Sequence, residues 1–171
     1  VVIVVLAIGI LLICFQNKQE EEEYAKRRTE LIEAYQKGTG DERLTAALSL
    51  SFGSSYEVLK AEYTDNEATV VLHAVEESTD EVAIRDYARD TVTLMSWVFG
   101  IPDVDKLSVT FRHTFLDTGG NEIQADAFII GISRENTTDI NYENFLDMVW
   151  NDPSRLTDRA DGYLITPALR E

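Results

Sequence analysis

Residues 107–115 read Leu-Ser-Val-Thr-Phe-Arg-His-Thr-Phe, and this stretch decides the fold class. Leu107, Val109, Phe111, His113 and Phe115 alternate with Ser108, Thr110, Arg112 and Thr114. That period of two predicts a strand with one face in a core and the other in water. Asp117-Thr118-Gly119-Gly120-Asn121 comes next as hairpin chemistry, with glycines available for positive φ. Ile123 to Ile132 then returns as the partner strand.

Working upstream, Tyr56–Tyr63 and Ala68–Val75 read as a second strand pair, and Asp65-Asn66 between them supplies a turn. Between the two pairs, Ser78-Thr79-Asp80-Glu81 matches a capping box and opens a helix to about Phe99. Ile84, Tyr87, Ala88, Thr91, Leu94, Met95, Val98 and Phe99 form its buried stripe, and Arg85, Asp86, Arg89 and Asp90 lie mainly off it. Gly100 and Pro102 stop it. Downstream, Asn141–Trp150 reads as a shorter helix, Asp152-Pro153 as a turn, and Gly162–Thr166 as a brief extended segment that docks. The order β-β-α-β-β-α predicts an α+β domain, in which an antiparallel sheet of about four strands is covered on one side by helices.

Before this domain the chain is of a different kind. Residues 1–15, VVIVVLAIGILLICF, are apolar without interruption. Uncharged apolar side chains in such a run prefer hydrocarbon to water, so a single-pass transmembrane anchor in contact with membrane lipid is expected. A straight span needs about 20 residues. The run is shorter and opens on Val1, which favours a segment truncated at its start over a cleaved signal or an alternative start codon. Residues 16–40 form the expected helical stalk. They are rich in Glu, Ala, Lys and Arg, with Glu22–Lys26 and Glu23–Arg27 at i,i+4 spacing and no glycine before Gly38. Asp41 is expected to cap a short helix through Leu48, and 41–171 to form the acidic domain. A lone N-terminal anchor usually exports the domain behind it, which places 41–171 outside the cytoplasm. The basic residues after the run, Lys18 to Lys37, argue the other way.

The chain carries 31 acidic against 15 basic side chains, a formal charge of −16. Such a surface repels nucleic-acid phosphates, and basic stripes with interleaved aromatics are missing, so no nucleic-acid role is expected. Dispersed acids with few lysines suit concentrated salt, where screening relieves self-repulsion; a halophilic source is therefore expected. Cys14 is the only cysteine and lies in the apolar run, which excludes an internal disulfide.

No catalytic, cofactor-binding or metal-binding residue stands out. His73 and His113 sit in strands without a neighbour at nucleophile-base spacing, and both read as structural histidines. Glu76-Glu77, Asp103-Asp105 and Asp158-Asp161 read as solvated acidic surface. Gly119-Gly120 lies in a hairpin and belongs to no phosphate loop. Asn136-Thr137-Thr138 is a glycosylation sequon that carries meaning only in an exported domain. Trp97 and Trp150 default to core packing, and would mark a partner-binding patch if exposed together. An apolar helix leading through a stalk to a small sheet domain resembles a pilin in outline. Pilins, however, carry a longer apolar helix with an acid near its start, and the first fifteen residues here hold no charge. The leading expectation is a membrane-anchored, non-enzymatic interaction or assembly module that binds a protein partner or associates with itself. The alternatives are a pilin-like structural subunit of a filament or envelope complex, and a membrane-tethered hydrolase.

Overall fold

The computed structural model describes residues 2–75, 80–116 and 118–169, apart from the side chains of 2–17, 80–81 and 168. The first helix, α1 (Val2–Lys37), is a single element, about 54 Å long at 1.5 Å per residue. The greasy side chains expected to form the anchor lie outside the described residues. Among the described residues no helix is long and apolar enough to cross a membrane. Gly38-Thr39-Gly40 breaks α1 as expected, and α2 (Gly40–Phe52) comes after it. Thr39 caps α2 in place of Asp41: the Thr39 amide donates to the Glu42 carboxylate at 2.7 Å. Gly40 is required there, because a Cβ would collide with the Tyr63 ring.

The domain is α+β. Its sheet holds five strands in sequential order: β1 (Tyr56–Thr64), β2 (Glu67–Ala74), β3 (Lys106–Leu116), β4 (Glu122–Ser133) and β5 (Gly162–Ile165). The β1–β2 hairpin turns at Asp65 and Asn66, both at positive φ, as their turn chemistry predicts. Two expectations are corrected. The docking C-terminal segment is a fifth strand, paired antiparallel with β4. The sheet is also mixed, since β2 and β3 run parallel. Helix α3 (Asp80–Val98) explains this. It is about 28 Å long, close to the length of the eight-residue β2, so it returns the chain to the end from which β2 started. A strand that begins there beside β2 can pair with it only in parallel. The capping box expected to open α3 lies partly outside the described residues.

One face of the sheet forms the core. Val70 and Leu72 of β2, Leu107, Val109 and Phe111 of β3, and Phe128, Ile130 and Ile132 of β4 meet the α3 stripe of Tyr87, Ala88, Leu94, Met95 and Val98. Leu44, Ala47 and Leu48 of α2 join from one side, and Phe145 and Val149 of α4 (Tyr142–Asn151) from the other. Asn141 caps α4, its side chain accepting from the Asn144 amide at 3.0 Å. The Asp152-Pro153 turn leads into one short helical turn, α5 (Ser154–Thr157). On the outer face Thr69, Val71 and His73 of β2 and Ser108, Thr110 and Arg112 of β3 are half-exposed.

α1 is joined to this body at the C-terminal end of α3. The Tyr35 hydroxyl donates to the Trp97 carbonyl at 2.6 Å, and the two rings meet edge to face at 5.3 Å. A Cβ on Gly100 would collide with the Tyr35 hydroxyl, so only glycine admits α1 this closely. Beside it Arg134 closes the turn from α3 to β3. Its guanidinium donates to the carbonyls of Val104 at 2.7 Å, Phe99 at 2.5 Å and Ile101 at 2.6 Å.

Candidate functional site

β1 begins with a residue that faces inward. Tyr56 packs its ring against Phe52 and Phe111, with centroids 5.0 and 5.4 Å away. Between Val58 and Lys60 the strand carries a bulge, which shifts the register by one residue. The inward positions therefore pass from Tyr56 to Ala61 and Tyr63. Across from Tyr56 is Ala74, the last residue of β2. Ser54 and Ser55 precede Tyr56, and Val75 succeeds Ala74. These residues form one wall of a cleft of about 610 Å³, and α3 forms the other.

α3 contributes two carboxylates one turn apart. Asp86 and Asp90 are at i,i+4 spacing, so both reach the same flank of the helix, beside its apolar stripe. Asp90 lies deeper, with a side chain only 14% exposed. Its Oδ2 accepts from the Tyr56 hydroxyl at 2.7 Å, and its Oδ1 from Nε and Nη2 of Arg89, both at 3.1 Å. Burial raises the Asp90 pKa above its ordinary value, against the opposing pull of the Tyr56 hydrogen bond and the Arg89 charge. Tyr56 is pushed far up, first by burial and then by the neighbouring Asp90 charge. Arg89 also lies over the Trp150 ring of α4, 5.4 Å from its centroid. Asp86 is half-buried on the cleft wall, and among the described residues it has no ion-pair partner.

Beneath the cleft, the Tyr87 hydroxyl and His113 Nδ1 are 2.8 Å apart, and Tyr87 stacks on Phe111 at 4.6 Å. His113 is buried among Tyr87 and Phe115. His73 faces the opposite side of the sheet in register with Arg112, where Gln124 Nε2 stands 3.2 Å from its Nε2. The two histidines are thus separated by the sheet and cannot share a metal ion.

The other residues singled out from sequence are scattered. Trp97 is half-buried against Tyr35, whereas Trp150 is 39% exposed on α4 beside Arg89; they belong to different surroundings and form no shared patch. The Asn136 amide, in a 3-10 turn after β4, donates to Asp161 at 2.8 Å, and Asp161 also accepts from Ser133 at 2.6 Å. Asp105 accepts from Asn66 at 3.1 Å, while Asp103 and Asp158 are exposed. Glu76 and Glu77 lie outside the described residues. Sequence reading placed Asp86 and Asp90 only as residues off the buried stripe. The available signal was their spacing: like charges at i,i+4 destabilise a helix, so a pair set against an apolar stripe asks for a reason. Tyr56 gave no such signal, because its inward position depends on the bulge. Comparisons with protein-family models, curated proteins and solved structures find no match for this chain.

Proposed function

We propose that this protein is a membrane-tethered, non-enzymatic binding module. In this reading residues 1–15 anchor it, the charged part of α1 holds the domain off the bilayer, and the cleft between β1 and α3 receives a protein partner. The observation that carries the proposal is the continuity of α1: one helix leads from the apolar run through the charged segment to the Tyr35 joint on α3. A helix pinned to the domain transmits orientation as well as attachment. From Asn17 to Leu31, where side chains begin to be shielded, the spacing is about 21 Å, which lifts the acidic domain clear of lipid headgroups. Binding in place of catalysis is supported by the state of the polar groups in the cleft. Tyr56, Asp90 and Arg89 are engaged with one another, which shapes a charged wall and holds it still.

The test is flotation of the full chain on zwitterionic vesicles, compared with a chain lacking residues 1–17. The full chain should float and the shortened chain should stay at the bottom, in low and high salt alike. Flotation of the shortened chain would refute the tether. If the full chain instead sedimented as large assemblies both with and without lipid, the filament alternative would replace it.

A further inference from the structure

We infer that the cleft receives a basic side chain, a monocation on a slender apolar stem, presented by a partner polypeptide. The inference rests on the binding-module reading and specifies what the same site takes. Its basis is the local charge balance. Asp86 and Asp90 bring two negative charges and Arg89 one positive. Arg89 spends its guanidinium on Asp90 Oδ1 and on the face of Trp150, so Asp90 is matched from within the chain. Asp86 is left as the unmatched charge among the described residues, half-buried on the wall of the cleft. One cation balances the charges of the described lining.

The remaining lining fits the stem. Ala74 and Val75 offer apolar surface, and Ser54 and Ser55 add polar lining to the same cleft. Val75 is 63% exposed at the edge, which gives the residues flanking the inserted side chain something apolar to cover. A cleft of about 610 Å³ has room for more than one side chain, and this favours a polypeptide over a free amine. The long-range field of a chain of charge −16 draws basic partners in but does not choose among sites, so the test has to separate Asp86 from the general field.

The full chain in zwitterionic nanodiscs is titrated with three capped tripeptide amides, Ala-Lys-Ala, Ala-norleucine-Ala and Ala-Glu-Ala, and with butylamine, reading the NMR shifts of Tyr56 and Val75. The lysine peptide should move both resonances saturably and bind at least about ten-fold more tightly than the norleucine peptide, the effect of one charge-assisted contact. Asp86→Asn and Asp86→Ala should each remove about that factor, while Asp103→Asn, on the exposed surface elsewhere, should not. Equal binding of the lysine and norleucine peptides, or indifference to both Asp86 substitutions, would overturn the charge preference and leave the cleft as a binding site. Butylamine as tight as the lysine peptide would overturn the polypeptide partner. No binding by any probe would overturn the binding reading of the cleft itself.

Discussion

Two of the places where α3 meets the N-terminal half of the chain are built in opposite ways. At its C-terminal end everything is closed. Tyr35 reaches a backbone carbonyl, Arg134 satisfies three more, and Gly100 removes the one atom that would keep α1 away. Around Asp86 and Asp90 the same helix is left open to a cleft, and burial works against the charge of Asp90. A buried carboxylate opposes folding unless it is fully compensated. The first arrangement is what stability alone would select. The second keeps a cost in the fold, and such costs concentrate where a protein binds or reacts.

This contrast can be broken by substitution. The largest effect is expected at the closed end. Arg134→Ala leaves the carbonyls of Phe99, Ile101 and Val104 without their donor and should cost about 3 kcal/mol in chemical denaturation. Lysine-peptide affinity at the cleft should survive it. If affinity fell in step with stability, the two places would not be separable. Tyr35→Phe removes a single hydrogen bond and should cost about 1 kcal/mol, with faster amide exchange confined to the last turns of α1.

Much of the closed architecture was legible in sequence. The alternation from Leu107 to Phe115 and the stripe from Tyr87 to Phe99 depend on local periodicity and the Asp65-Asn66 turn on local turn chemistry, and each is found where the local sequence puts it. The parallel pairing of β2 with β3 was missed because it arises from the length of α3 relative to β2, a comparison between elements that periodicity within one element does not make. The cleft was less legible still. Tyr56 and Asp90 are 34 residues apart and meet only because a bulge in β1 resets which residues face inward. Arg134 was not singled out either, since its role is to collect carbonyls from a turn about thirty residues earlier. A one-dimensional pattern records faces; it does not record which loop end is brought beside which helix flank.

The open side has a pH signature. Because the Asp90 pKa is raised in the folded protein, the folded form holds that proton more readily than the unfolded chain does. The contribution of Asp90 to stability is therefore most favourable at acid pH. It declines as pH rises from the ordinary carboxylate value of 3.8 through the raised one. An asparagine can still accept from Tyr56 but carries no charge to bury. The most direct measurement is the stability of the unaltered chain and of Asp90→Asn, tracked by chemical denaturation from about pH 4 to about pH 7. The stability of the variant relative to the unaltered chain should climb with pH across this range and level off once Asp90 is ionised. A flat difference, or one that falls with pH, would mean that the carboxylate is held at no cost, and would contradict the division of α3 into a closed joint and an open charged cleft.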